Sequence, residues 1–284
     1  MTTKNKFSKG ILHLLPRRLR EVLSTVLGGR HHAPLLTAFR VALKENLDSR
    51  GFLDYKGGKI LMDLSSSGEL VRLHACRKEP ETVKWIETHL RPGETFYDIG
   101  ANVGAYSFVA HKVSEGKSTI YAFEPSFSTF AALCRNIMLN HCDTDIIPLQ
   151  IALGNETKLL PFYYSSIASG GSLHSLGTPH NSEKVASNFV FQHLVLTYRL
   201  DDLIPEFRLK PPSHMKIDVD GGELGVMEGA LHTLRDSRLR SVLIEIGPAE
   251  SERIMMLIKN SGWHLVSQHP RKKAGVYNFI FERH

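Results

Sequence analysis

Between residues 95 and 246, short apolar runs of strand length alternate with segments of helical periodicity, and no other feature of this 284-residue chain restricts its fold more. Residues 95–99, 119–123, 145–151, 215–219 and 242–246 read as buried strands. Residues 103–114, 128–140 and 223–234 read as helices between them; in the second, Phe130, Leu133, Cys134, Ile137 and Met138 fall on one face. Strands joined through helix-length segments do not form hairpins with one another. They need right-handed crossovers, and the result is a parallel sheet covered by helices on both faces. A further helix over 250–260, stopped by Gly262, leads to extended runs at 263–267 and 276–282 that read as a hairpin closing one sheet edge.

Two stretches stand outside this alternation. Residues 51–74 give short extended runs at 52–55, 59–64 and 69–74, separated by Gly57-Gly58 and Ser65-Ser66-Ser67-Gly68, the pattern of a small antiparallel meander. Pro80, flanked by Glu79 and Glu81, then opens a helix that reaches Leu90 and stops at Arg91-Pro92-Gly93. Residues 152–212 are far longer than an ordinary connection, with extended runs at 159–164 and 189–196 around the small-residue loop Ser169-Gly170-Gly171-Ser172. Excursions at the carboxyl edge of a parallel sheet are where pockets are built. The expected organisation is an N-terminal extension over 1–76, then an α/β domain over 77–284 with an insertion at 152–212.

A net charge of +6 invites a nucleic-acid reading until the charge is located. Residues 1–30 hold seven basic side chains and one acidic one, leaving 28 of each sign in the rest of the chain. The body therefore offers no phosphate-gripping face, and nucleic acid is not an expected partner. Within the basic segment, Leu12, Leu15, Leu19, Val22, Leu23 and Val26 recur at helical spacing over residues 10–29. Such an amphipathic helix is expected to pack on its own domain or on a second subunit of a homo-oligomer. An anionic membrane surface is the other candidate partner, through residues 1–30. Three cysteines (Cys76, Cys134 and Cys142) leave an odd thiol without a C-x-x-C pair. That usage fits a reducing cytoplasm. No apolar run approaches the roughly eighteen residues of a membrane span, so a cytoplasmic chain, peripheral at the inner membrane face through its basic helix, is expected.

The first buried strand ends in Asp98-Ile99-Gly100-Ala101-Asn102-Val103-Gly104 and runs straight into a helix. Glycines there let the backbone turn sharply and approach a ligand, and the helix start offers free N–H groups. The G-x-G-x-x-G of dinucleotide folds is missing, and an acid, Asp98, precedes the first glycine, where it would repel a pyrophosphate and attract an amino group. The second strand ends at Glu124, twenty residues past Gly104, where a carboxylate can accept both hydroxyls of a ribose. A ligand with a ribose and a cationic head but no phosphate meets both conditions, and S-adenosylmethionine is such a ligand. In a purely structural reading Asp98 is a helix cap and Glu124 a surface acid.

These blocks, together with Phe123-Glu124-Pro125, Lys216-Ile217-Asp218-Val219-Asp220-Gly221-Gly222-Glu223 and Ile244-Glu245-Ile246, resemble the FkbM family of S-adenosylmethionine-dependent methyltransferases in order and spacing, from about residue 79 to residue 246. The resemblance implies the class I, Rossmann-like methyltransferase fold with a mainly parallel seven-stranded sheet. It implies O-methylation of a hydroxyl on a small molecule or glycan, a sugar or polyketide-like acceptor. It also implies that Asp98, Gly100, Ala101, Asn102, Gly104 and Glu124 hold the cofactor, with Ala152 near the adenine and Asp218 at the same cleft. This chain reads Asp-Val-Asp-Gly where Asp-Val-Glu-Gly is usual in the family, so Asp220 is one methylene shorter. Residues 1 to about 50 lie outside the resemblance.

Lys216, Asp218 and Asp220 alternate onto one strand face, and the strand's end turns Asp218 towards the cofactor cleft. An acceptor hydroxyl must lose its proton as it attacks the methyl group, so a carboxylate within hydrogen-bond reach is the expected partner. Asp218 is the first candidate. Glu245, at the end of the next strand, is a second, placed to orient substrate or act as base. His174, just after the Gly170-Gly171 loop, is a third, because imidazole suits the task at neutral pH. As one of fifteen histidines, however, His174 is expected at the surface. Asp220 and Glu223 have the D-x-x-E form of a capping box before an apolar helix. No metal is expected, because no histidine, cysteine or acid cluster has ligand spacing, although the paired Asp218 and Asp220 leave room for magnesium without requiring it. Two rival readings are a nicotinamide oxidoreductase, opposed by the missing glycine motif, and a non-catalytic S-adenosylmethionine-binding scaffold that uses the basic helix.

Overall fold

The computed structural model describes residues 49–172, 174–178 and 189–283, preceded by the isolated helical positions Arg17, Thr37, Arg40, Val41 and Leu43. The chain divides into a unit of residues 1–49 and a larger unit of residues 50–284. The amphipathic helix expected over 10–29 lies outside the described residues except for Arg17, which is helical and exposed.

The larger unit opens with β1 (Arg50–Phe52) paired antiparallel to β2 (Leu61–Asp63). The third run of the expected meander is not a strand but α1 (Ser67–Arg72). Ser66 Oγ accepts from the Glu69 N–H at 3.1 Å, and the Glu69 carboxylate accepts from the Ser66 N–H at 3.0 Å. This reciprocal capping box satisfies donors that an unpaired third strand would have left open. α2 (Ala75–Lys78) and α3 (Pro80–His89) follow, the latter with its proline in the first turn.

The chain then runs through β3 (Thr95–Ile99), α4 (Ala105–Val113), β4 (Thr119–Phe123), α5 (Phe127–Leu139) and β5 (Ile146–Leu149). β6 (Ala152–Leu153), β7 (Lys158–Tyr164), β8 (Ser175–Leu176), β9 (Phe191–Tyr198) and α6 (Leu200–Glu206) occupy the insertion. β10 (His214–Ile217), α7 (Glu223–Glu228), β11 (Ser241–Ile246), α8 (Ser251–Asn260), β12 (His264–Pro270) and β13 (Tyr277–Glu282) complete it. α7 is shorter than its periodicity predicts. The Asp201 carboxylate accepts from the N–H groups of His232 at 2.8 Å and Thr233 at 2.9 Å, and Thr233–Arg235 become a 3-10 turn.

One seven-stranded sheet has the order β12-β13-β11-β10-β3-β4-β5. β11, β10, β3, β4 and β5 run parallel, and β13 pairs antiparallel with both β11 and β12, so the terminal hairpin closes one edge. This is the class I methyltransferase arrangement. Every residue of β3 is buried, as a strand covered on both faces requires. Phe96, Ile120 and Ala122 face Trp85, Phe108 and Leu133 of α3, α4 and α5. Tyr97, Ile99, Phe123 and Met215 face Leu203, Met227 and Ile254 of α6, α7 and α8. Burial of a large apolar side chain such as Phe96, Ile120 or Met215 contributes about 1.5 to 3 kcal/mol. The insertion folds as a four-stranded sheet, β6-β9-β7-β8, around a small core of Ala152, Phe162, Tyr164 and Val195.

The strand order reverses between β3 and β10: the chain moves outward through β4 and β5, then returns past β3 to β10 and β11. Clefts open outside the carboxyl ends of strands at such a point. Among the described residues, no helix is long and apolar enough to cross a membrane.

Candidate active site

Glycine at the β3–α4 turn is dictated by the neighbouring strand. Gly100 has φ +80°, and a Cβ there would lie 1.9 Å from the Asp218 carbonyl oxygen, so only glycine lets this turn rest on the end of β10. Asn102 follows with φ +52°; its N–H donates to Glu124 Oε2 at 2.9 Å and its Nδ2 donates to the Gly171 carbonyl at 2.9 Å. Gly104, φ +94°, starts α4. The ends of β3 and β4 and the insertion loop are thereby tied together.

Two cavities open at this junction. The first, of about 330 Å³, has apolar walls that include Phe123, Ile151, Ala152 and Phe162, with Glu124 and His174 among them. Glu124 is 6% exposed, and its Oε1 accepts from the Ser126 N–H at 2.9 Å. Burial pushes its carboxyl up to about 7, against the opposing effect of the Ser126 and Asn102 hydrogen bonds. His174 is not at the surface as expected: it is 9% exposed, with its ring 5.5 Å from that of Phe162 and 5.0 Å from that of Tyr164. The insertion sheet supplies this apolar shelf, and burial, aided by the charge of Arg72, pushes the imidazole down to about 4. Its Nε2 has no hydrogen-bond partner among the described residues.

The second cavity, of about 280 Å³, is charged and includes Arg72, Glu79, Asp218, Glu245 and Arg271 in its walls. Arg271 Nη2 binds Glu79 at 2.6 Å and its Nε binds Glu245 at 2.6 Å. β10 and β11 pair Ile217 with Ile244, so Asp218 and Glu245 are the next positions in that register and stand side by side. Burial pushes Glu245 up to about 7, with the neighbouring Asp218 charge adding to the effect and Arg271 opposing it. Asp218 moves the other way. Burial disfavours its charge, but Lys216 and then Arg271 override this and hold its carboxyl below the ordinary range.

Lys216 is 1% exposed, and its Nζ lies 3.5 Å from Asp98 Oδ1 and 3.5 Å from Asp218 Oδ2. Register pairs Lys216 directly with Asp98 across β10 and β3. Burial works against the ammonium, and the attraction of Asp218 and Asp98 outweighs it, raising its pKa. Asp98 is 0% exposed and accepts from Ser107 Oγ at 2.7 Å. It therefore lies behind the cavity walls, turned to Lys216 rather than to open space. Gly104 lines neither cavity, Ala101 lines the second and Ala152 the first, while Gly100, Asn102, Asp218 and Asp220 line both.

The capping box expected of Asp220 and Glu223 does not form. The cap position of α7 is Gly222, and Glu223 Oε1 instead accepts from the N–H groups of Val219 at 3.2 Å and Gly221 at 3.1 Å. Asp220 adopts φ +59°, which an aspartate tolerates better than most residues, so the turn displaces it from the cap. Burial pushes Glu223 up to about 8. The native state then keeps a proton that the unfolded chain has released, so the stability contributed by Glu223 falls as pH rises towards 8. Between pH 6.5 and 8.5 this amounts to about 2 kcal/mol. Glu223→Gln keeps the acceptor oxygen and should flatten the decline in thermal midpoint over that range. An identical decline in wild type and variant would refute the assignment.

Arg72, Glu79 and Arg271 carry no motif signal. Glu79 and Arg271 lie at a helix entry and in a hairpin turn, and only folding brings them to the second cavity. Among the described residues, no group of three or more His, Cys, Asp or Glu side chains is arranged to hold a metal.

Comparison with known proteins gives consistent results. Residues 98–265 match the family described as the Methyltransferase FkbM domain. Hexuronic acid methyltransferase AglP of Haloferax volcanii is 25% identical over 183 residues, which cover 64% of this chain and 68% of that protein. 31-O-demethyl-FK506 methyltransferase FkbM of Streptomyces tacrolimicus is 24% identical over 215 residues, covering 66% of this chain and 79% of that protein. The crystal structure of methyltransferase FkbM from Methylobacillus flagellatus superimposes with a TM-score of 0.49 at 15% identity, covering 75% of this chain and 52% of that one.

Proposed function

The chain belongs to the FkbM methyltransferase family, and on that premise we propose that it transfers the methyl group of S-adenosylmethionine to a hydroxyl oxygen of a small molecule or glycan. The observation that carries this reading is the meeting of two unlike cavities at Gly100, Asn102, Asp218 and Asp220. The first suits the cofactor. Its apolar walls match an adenine, the buried Glu124 carboxylate matches a pair of ribose hydroxyls, and the unpartnered His174 Nε2 provides a further polar contact. Asp98 acts from behind, fixing Lys216 and through it Asp218.

Bound S-adenosylmethionine supplies an electrophilic methyl carbon on a sulfonium, a good leaving group. The work left to the protein is to align the acceptor oxygen and to take its proton. Asp218 lies at the junction of the cavities and stays ionised, so it orients the acceptor hydroxyl by accepting its hydrogen bond. Glu245 takes the proton as the oxygen–methyl bond forms, and releases it to solvent through the charged cavity. Sequence position puts Asp218 first as the base, but its lowered pKa makes it the weaker proton acceptor of the pair. Two neighbouring carboxylates whose environments push their pKa values apart divide their roles in this way. His174, held neutral in the cofactor cavity, contributes contact rather than proton transfer.

The two relatives are named for acceptors of different kinds, a hexuronic acid and a demethylated FK506, so family membership leaves the charge of this acceptor open. The cofactor assignment is tested at Glu124. Glu124→Ala should weaken S-adenosylmethionine binding by about 1.5 to 3 kcal/mol, the range for hydrogen bonds to a charged group. Calorimetry on the folded variant that returned wild-type affinity would remove Glu124 from the ribose site.

A further inference from the structure

We propose that the acceptor carries an anionic group, bound in the second cavity by Arg72 and Lys272; this rests on the reading of that cavity as the acceptor site. Six cationic and four acidic side chains line it. Three of these acids are held by cations of the same wall: Glu79 and Glu245 by Arg271, Glu79 also by Lys78 at 3.3 Å, and Asp218 by Lys216. Arg72 is half-buried, donates from Nε to the Gly170 carbonyl at 3.3 Å, and has no carboxylate partner among the described residues. Lys272 is exposed at the cavity wall and likewise has no acidic partner among them.

Arg72 is anchored rather than free. Its helix, α1, is fixed by the Ser66–Glu69 box, and Ser66 Oγ donates to the Ser169 carbonyl at 2.6 Å, docking the helix on the insertion loop. The same contact is close at Gly68, where a Cβ would lie 2.6 Å from the Ser169 carbonyl oxygen. A preorganised guanidinium loses little entropy on binding, and its fork matches a carboxylate or phosphoryl group with two parallel hydrogen bonds. Its field also reaches Asp218, placing the cation within range of the junction where the hydroxyl must sit. A neutral acceptor would leave this charge facing an apolar or neutral surface, and a cationic one would be repelled; an anion neutralises it.

The test uses the full chain and two ligands in sequence. S-adenosylhomocysteine is titrated first by calorimetry, which reads the cofactor cavity by itself. On the saturated complex, D-glucuronate, D-glucose 6-phosphate and D-glucose are then compared for wild type, Arg72→Gln and Lys272→Gln. The expected result is that an anionic sugar binds roughly tenfold or more tightly than glucose, that the preference shrinks with salt, and that both variants lose it while keeping wild-type S-adenosylhomocysteine affinity. A preference for glucuronate identifies a carboxylate, and one for glucose 6-phosphate a phosphoryl group. Equal binding, or equal failure to bind, of charged and neutral sugars to the saturated complex overturns the proposal. So does an Arg72→Gln variant that loses S-adenosylhomocysteine but keeps the sugar preference, which would give Arg72 to the cofactor's own carboxylate. Failure of wild type to bind S-adenosylhomocysteine would instead overturn the cofactor reading, and the sugar preference would still be read on the unliganded chain.

Discussion

Glu245→Gln is expected to lower kcat by roughly 10²- to 10⁴-fold, the usual worth of a positioned general base, with little change in cofactor affinity. The glutamine keeps the shape and still accepts from Arg271 Nε, so the site should survive while the proton acceptor is lost. Wild-type kcat should rise with pH through about 7, because Glu245 accepts a proton only once ionised and burial has lifted it to that value. Burial sets this titration, with the Asp218 and Glu79 carboxylates adding to the upward shift and Arg271 opposing it. The rising limb should vanish in the glutamine variant. Asp218→Asn should behave differently: it weakens orientation of the acceptor, so KM should rise along with a fall in kcat, and the limb near 7 should remain. If Asp218→Asn erased the limb and Glu245→Gln kept it, the two roles would be exchanged.

Lys216→Met is expected to cost about 3 to 5 kcal/mol of stability, the range for breaking a buried ion pair from one side. The methionine fills much the same volume, but Asp98, with no exposed surface, would lose the cation that faces Oδ1. That oxygen has no hydrogen bond among the described residues, and the carboxylate would keep only the neutral Ser107 hydroxyl on Oδ2 against its charge. The double variant Lys216→Met/Asp98→Asn should recover much of the loss, because it removes the stranded charge. Denaturant unfolding measures both. A single variant within about 1 kcal/mol of wild type would show that Asp98 is protonated or solvated and that Lys216 does not hold it.

Much of the fold was legible because local pattern and tertiary burial agree. The runs at 95–99, 119–123 and 242–246 are apolar apart from Thr95, Asp98, Thr119 and Glu245, as expected of strands covered on both faces, and the intervening periodicity leaves only crossovers. α1 was missed: its apolar run length reads as a strand, although another signal was present. Ser66 and Glu69 have the spacing of a capping box, and that signal carries more information about a short segment than does its apolar run length. The same kind of spacing misled at Asp220 and Glu223, because the backbone there enters a left-handed turn and the carboxylate of Glu223 goes to the turn's own N–H groups. His174 misled for a related reason. Its neighbours in sequence, Leu173 and Ser175, form no extended apolar run, whereas its neighbours in space, Phe162 and Tyr164, come from β7.

The sequence by itself determined the order of strands and helices, the glycine turn after Asp98, and the placing of Asp98, Glu124, Asp218 and Glu245 at strand ends. These follow from periodicity and from backbone sterics, which act over a few residues. Only the tertiary structure decided which of those acids meet one another and which meet a base. Strand register set Lys216 beside Asp98 and Asp218 beside Glu245, and packing of the insertion, α1 and the terminal hairpin brought Arg72, Glu79 and Arg271 to the same cavity. Whether a carboxylate there is a base, an ion-pair partner or a hydrogen-bond acceptor depends on its burial and on the charges within a few ångströms. Those contacts join residues up to 192 positions apart in sequence, across which no local pattern extends.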